Sequence, residues 1–315
     1  MKSSMVLMLG MAVVAVAQET PVTAGFHPTR EGFAFFDNRE HPGNRIGYRF
    51  FEHTPMVHGA VPRNEREAGI DAGAEAKLLR EFAARPGVVQ HEVDVKGEEW
   101  AEQRWTFYLL PVRDGVEMLL RVEAGAAGLN SYYGVQQCFR LGGETNAGWR
   151  KEIARTPAFS EYDYWQELKE AGRGLESLTW VRRRGVWERL PAGAETVGAR
   201  TPPGVLLDEE RTGGQLASMP RVGPYEAVML GPVDDGLITR ADRARNWVGG
   251  IYWQRTSHVT VHHPADCLHS IVNIGGIPPQ GARVLRGKIY WHAGGLDELG
   301  RRWGADFGGK TGGGR

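Results

Sequence analysis

The chain has 315 residues, with 38 Lys and Arg balanced by 38 Asp and Glu. That balance leaves no field to draw in nucleic acid or an anionic membrane surface, so neither is an expected partner. The 43 Gly and 17 Pro imply many turns, and the 10 Trp, 9 Tyr and 11 Phe suit either a sandwich core or sugar-stacking platforms.

The first residues read as an export address. Lys2 gives a short positive start, Met5 to Ala17 an apolar stretch, and "AVA" (Ala15, Val16, Ala17) the small residues of a cleavage site. The stretch is shorter than the roughly 20 residues a bilayer span needs. The expectation is a signal peptide over 1–17 and a mature chain starting at Gln18. That chain would have no transmembrane segment and would be secreted or periplasmic.

From Thr20 to Pro55 the chain reads as irregular with short extended pieces. Helical spacing appears first in "GAEAKLLREFAARPG", where Ala76, Leu79 and Ala83 share a face beside Leu78 and Phe82, and Pro86-Gly87 closes the segment. Strand-like segments follow: "VVQHEVDVKG", "EEWAEQRWTFYLLPV" and "VEMLLRVEA". In the last, Val116, Met118, Leu120 and Val122 alternate with Glu117, Leu119, Arg121 and Glu123, a period of two with one face buried.

"NSYYGVQQCFRLGG" is a further strand, on which Gln136, Cys138 and Arg140 share one face, with Gln137 and Phe139 on the other. The planar donor fork of Arg140 beside the Gln136 amide suits recognition of hydroxyls or a carboxylate. "TPAFSEYDYW" sets Glu161 and Asp163 among Phe159, Tyr162, Tyr164 and Trp165. Two carboxylates among aromatics fit a sugar cleft, with Glu161 as an acid and Tyr162 and Trp165 as contacts. The same letters also read, more simply, as a helix start with Ser160 as N-cap and acidic residues in the first turn.

"LTWVRRRGVWERL" reads as a hairpin about Arg184-Gly185, and "ASMPRVGPYEAVMLGPV" and "NWVGGIYWQRTSHVTVHH" as more strands. "HVTVHHPADCLHS" then holds four of the ten histidines and one of the two cysteines. On a strand His258, Thr260 and His262 share one face, and Val259, Val261 and His263 the other. Four strand rises of about 3.3 Å keep His258 and His262 too far apart for one metal. A metal would have to use the loop expected after Pro264, through Asp266, Cys267 or His269. The alternatives are acid/base work by His262, His263 or His269, or a polar turn in which the imidazoles satisfy backbone groups. No zinc-finger or zincin spacing is present, so neither a metal nor another cofactor is expected. Cys138 and Cys267 could pair in an oxidising compartment or remain buried thiols.

"ARVLRGKIYWHAG" is a late strand, followed by an amphipathic helix from Leu296 to Phe307 and a flexible tail over 308–315. The pattern predicts an all-β fold, a β-sandwich of antiparallel strands with two or three short peripheral helices, as one domain over 18–307. No G-x-S-x-G elbow, phosphate loop or dinucleotide fingerprint occurs.

The segment "CLHSIVNIGGIPPQGARVLRGKIYWHAGGLDELGRRWGADF" resembles the C-terminal part of exported bacterial β-sandwich proteins, many of unknown function and some lying near carbohydrate-processing genes. The resemblance implies an exported sandwich, gives weight to Cys267 and His269, and transfers no catalytic residue. A mutarotase-like sandwich is a further expectation by fold analogy. Taken together, these readings describe an exported carbohydrate-binding or carbohydrate-active protein. Its candidate acid/base groups are His262, His263, His269 and Glu161, and its candidate ligand contacts are Gln136, Arg140, Tyr162 and Trp165. The alternative is a non-catalytic envelope or accessory protein.

Overall fold

The computed structural model describes residues 20–28, 32–50, 56–57, 71–97, 100–129, 133–142, 154–183, 185–190, 192, 227–230, 235–262 and 266–308. Two antiparallel sheets face one another, as the alternating patterns require. The first contains β1 (Val22–Phe26), β2 (Phe33–Asn38), β3 (Arg45–Arg49), β8 (Tyr133–Arg140), β15 (Cys267–Asn273), β14 (Thr256–His262) and β11 (Ala227–Leu230), in that spatial order. Strand β4 (Met56–Val57) also pairs with β8.

The second sheet runs β10 (Val186–Arg189), β9 (Thr179–Arg183), β12 (Ile238–Ala241), β13 (Trp247–Trp253), β16 (Ala282–Ala293), β7 (Gly115–Ala124), β6 (Trp100–Val112) and β5 (Val89–Gly97).

The core lies between the sheets. On β7 it takes Val116, Met118, Leu120 and Val122, the predicted inner set, while Leu119 points outward. Trp105, Trp253 and Trp291 are among its largest wholly buried side chains. Much of the aromatic load therefore packs the sandwich rather than forming a platform. Gly287 lies opposite Trp253, and a Cβ there would sit 2.5 Å from the indole, so the close approach requires glycine.

Among the described residues, three α-helices close the outside. Helix α1 (Ala72–Ala83) is capped by Asp71, whose side chain accepts from the Ala74 N–H, and it buries Phe82 against Tyr108, Leu119 and Val284. Its Glu75 carboxylate accepts from the Val284 N–H at 2.7 Å, a backbone donor on the outer reach of β16. Helix α2 (Glu161–Glu170) starts as the capping reading has it, with the Ser160 hydroxyl accepting from the Asp163 N–H. Helix α3 (Leu296–Phe307) has the predicted bounds and seats Leu299 among Leu237, Val248, Tyr252 and Tyr290. Beneath it Lys288 bonds Asp114 and Asp306 at 3.0 and 2.8 Å.

The structure corrects the sequence reading in three places. In the stretch read as irregular with short extended pieces, those pieces are three strands, β1 to β3, paired in one sheet. The segment "LITRA" supplies β12, which was not expected. The region after Pro264, expected to be a loop, becomes strand at Cys267. The tail expected to be flexible lies, beyond Gly308, outside the described residues, as do the signal segment and Arg184. No described helix is long and apolar enough to cross a membrane.

Candidate functional site

Backbone register decides which candidate side chains meet. Strand β15 lies between β8 and β14, pairing Cys267 with Arg140 and His269 with Cys138 on one side. On its other side Thr260 lies opposite His269, and His262 opposite Cys267. Phe139, Leu268 and Val261 alternate with these positions and belong to the core between the sheets. Period two therefore puts Gln136, Cys138, Arg140, Cys267, His269 and Thr260 on the outer face of the first sheet. The same face holds the positions of His258 and His262, as the strand reading expected.

Here the outer face is polar and buried at once: none of Gln136, Cys138, Arg140, Thr260, Cys267 and His269 is more than 6% exposed. Burying such groups costs free energy unless each finds partners, so this polar face is the candidate site. Thr260 Oγ1 lies 2.7 Å from His269 Nδ1 and orients the ring. With Nδ1–H donating to that hydroxyl, Nε2 carries the lone pair. The Arg140 Nη2 donates to Cys138 Sγ at 3.8 Å, a contact that favours the thiolate. One donor atom from each of Cys138, Cys267 and His269 lies within 4.8 Å of the others. The expectation of no metal thus meets a convergent sulfur and nitrogen donor set.

Neither cysteine is in a disulfide. Register explains why. Cys138 lies opposite His269, so Cys267 is its diagonal neighbour. Diagonal Cα atoms are about 7–8 Å apart, beyond the roughly 6.8 Å that a disulfide spans.

Glu161 belongs elsewhere. Its oxygens accept from the Ser177 hydroxyl at 2.7 Å, the Leu178 N–H at 2.5 Å and the Thr179 hydroxyl at 3.1 Å. Arg240 Nη2 is 3.3 Å away. Arg240 shares a strand face with core residue Ile238, so this cluster lies between the sheets. Its Nη1 reaches Asp266 at 2.8 Å and the Phe159 carbonyl at 3.0 Å, while Nε donates to Thr179 Oγ1 at 2.7 Å. Asp266 also accepts from the Ser160 hydroxyl and the Glu161 N–H. Burial pushes the Asp266 carboxyl up, against the pull of Arg240 and Ser160, and the Glu161 charge pushes the same way as burial.

The single cleft expected from three polar segments is therefore not what forms. Gln136, Arg140 and His269 share the outer face, with Gln136 and Arg140 four strand rises, about 13 Å, apart, whereas Glu161 is a structural acid inside the sandwich. Trp165 is buried and donates its indole N–H to the Glu176 carbonyl, and Tyr162 is half-buried on the same helix. Neither Tyr162 nor Trp165 joins the outer face. His269 sits in a buried strand, not in a surface loop. The side chain of His262 and the whole of His263 lie outside the described residues. Asp266, foreseen as a metal donor, is held by Arg240 instead.

Sequence reasoning missed Thr260 as the partner of His269, and it missed Arg240 entirely. It also passed over His41, which stacks on Trp247 at 4.5 Å and accepts from the Trp291 indole N–H at 3.0 Å. Burial lowers the His41 pKa, with Asp242 opposing. Two described clefts share no lining residue with the polar face. One, of about 300 Å³, is lined by Asp94, Glu102, Gln103, Arg104 and Glu123, and the other, of about 240 Å³, by Thr23, Asp37, Asn38 and Arg39. In the first, Arg104 pairs with Asp94 and Arg121 with Glu123, so its acidity is largely answered. The convergence of side chains, rather than concavity, identifies the site.

No protein-family model matches the chain, and no curated protein matches it. Among solved structures, one from Escherichia coli K12, described as a "putative aldose 1-epimerase", is similar at 11% identity and a TM-score of 0.32, over 66% of each chain. The Slr1438 protein from Synechocystis sp. PCC 6803 is similar at 6% identity and a TM-score of 0.35, over 66% of this chain and 62% of its own. The matched region is just under two thirds of either neighbour's length. Likeness at this level concerns the β-sandwich alone, and no residue role is taken from it.

Proposed function

We propose that the protein is an exported carbohydrate-binding β-sandwich whose ligand is held on the outer face of the first sheet. The observation that carries this reading is the buried row of Gln136, Arg140 and His269 on adjacent strands. A guanidinium fork, a carboxamide and an imidazole together suit a hydroxyl-rich ligand, and Arg140 favours one bearing a carboxylate, such as a uronic acid. Low local dielectric strengthens each such hydrogen bond.

Binding fits this face better than glycoside hydrolysis. Hydrolysis needs two carboxylates flanking the bond, and Glu161 is committed to Arg240, Ser177 and Thr179 on the other side of the sheet. His269, oriented by Thr260, is the acid/base group should the ligand be turned over. Export rests on the N-terminal address, and N-terminal sequencing of protein recovered from outside the cytoplasm should begin at Gln18.

The test is binding to a glycan panel containing neutral and uronate-bearing sugars, repeated with Arg140→Gln. The reading expects an acidic glycan to bind and the variant to lose about tenfold or more, the loss of one charge-assisted hydrogen bond. Absence of any glycan ligand, with the variant indistinguishable from wild type, would place the protein among non-catalytic envelope or accessory proteins.

A further inference from the structure

We infer that Cys138, Cys267 and His269 form a binding site for one thiophilic transition-metal ion, Zn²⁺ or Cu⁺. This goes beyond the carbohydrate reading and stands without it. Three buried donor atoms, two sulfurs and one imidazole nitrogen, already lie within 4.8 Å of one another. Tetrahedral Zn–S bonds of about 2.3 Å separate two sulfurs by about 3.8 Å, so shifts of about 1 Å close the set. The sheet supplies the rigidity. Cys267 and His269 are two apart on β15 and share its outer face, and Cys138 is held opposite His269 by the β8 register.

The surroundings match what metal-bound histidines and thiolates need. Thr260 Oγ1 lies 2.7 Å from Nδ1 of the imidazole and fixes the ring. Arg140 donates to Cys138 Sγ, an interaction that stabilises a thiolate. The charge change is small. A divalent ion displaces one proton from each thiol, giving two Cys–S–metal bonds and two protons to solvent, with the net charge of the face unchanged. A monovalent copper ion leaves one negative charge, which Arg140 offsets. Neutral His269 contributes its lone pair without losing a proton. Three protein ligands leave one coordination position open, the arrangement of reactive rather than purely structural zinc sites. The alternative fate of the two sulfurs, a disulfide, is disfavoured by the diagonal register.

The experiment uses the full mature chain, reduced and stripped with a chelator. Co²⁺ is added first because thiolate ligation produces charge-transfer absorption in the near ultraviolet. One equivalent should saturate the band while releasing two protons into a weak buffer, and one equivalent of Zn²⁺ should then bleach it with no further proton release. Competition against a chromophoric Cu⁺ chelator then tells whether Cu⁺ or Zn²⁺ is the tighter occupant, and either supports the site. Cys138→Ser and Cys267→Ser should each weaken Zn²⁺ binding by more than about 100-fold, since altering even a residue that only supports a ligand costs about 10–100-fold.

Three results overturn the inference. One is folded, reduced wild-type protein that gives no cobalt–thiolate band. Another is serine variants that bind Zn²⁺ as wild type does. The last is denatured, unreduced protein with no titratable thiol. If a serine variant fails to fold, the wild-type band, stoichiometry and proton release still decide. Glycan binding without the cobalt band removes the metal site and leaves the ligand face, and the reverse result does the opposite.

Discussion

Two buried polar clusters sit on opposite sides of the first sheet, only one residue apart in sequence where Asp266 meets Cys267. Inside, Arg240 joins Glu161 and Asp266, and the cluster's hydrogen bonds run to Ser160, Ser177, Thr179 and the Phe159 carbonyl. Outside, Cys138, Cys267 and His269 bring one donor atom each within 4.8 Å of the others, with Arg140 and Thr260 beside them. Equal burial therefore does not mean equal role. Mutually bonded charges tie the two sheets and α2 together, whereas sulfur and nitrogen donors that converge on one face are arranged for a ligand.

Breaking the inner cluster should produce the largest effect. Arg240→Ala leaves two carboxylates buried without their cation, and loss of one member of a buried pair costs about 3–5 kcal/mol. Urea unfolding should show a collapse of stability, or the variant should fail to accumulate folded. A near-neutral result would mean that the inner cluster is no structural tie. Ser160→Ala comes next. It removes the cap of α2 and a hydrogen bond to Asp266, so about 1–2 kcal/mol should be lost, measured the same way.

A smaller effect should appear on acidification. His41 accepts from the Trp291 indole through Nδ1, which needs the neutral ring, and burial lowers its pKa below the ordinary 6.5. His292 is lowered for the same reason. A histidine with a lowered folded pKa gives stability that is present above the unfolded value and lost as pH falls below it toward the folded value. Stability should therefore decline as pH drops below about 6.5, and His41→Phe should flatten part of that slope. On the outer cluster, Gln136→Ala should have the smallest effect on stability, within about 1–2 kcal/mol, while weakening glycan binding.

The strands with clean alternation were legible in the sequence, as β7 shows. So were the hairpin at Gly185, the Ser160 cap and α3, because each rests on local chemistry. Strand β15 was not, since "CLHSIVN" is buried on both faces and mixes polar with apolar residues on each, which erases the period of two. Pro264 and Asp266 then read as a loop. Asp266 in fact adopts a left-handed φ of 47°, an uncommon backbone geometry that Asp tolerates better than most residues, and the chain enters β15 directly after it. Once β15 was misread, the meeting of His269 with Cys138 could not be foreseen, because it depends on a register 131 residues away. Glu161 shows the opposite failure. Its type and aromatic setting suggested chemistry, but the answering cation, Arg240, lay in an unremarked strand.

The most direct test of the two-sided account is a nuclear magnetic resonance titration with the best ligand from the glycan panel, following the His269 imidazole and the Arg140 and Arg240 guanidinium signals. The account predicts saturable shifts at His269 and Arg140 with Arg240 unmoved. Shifts at Arg240 with His269 and Arg140 silent would contradict it.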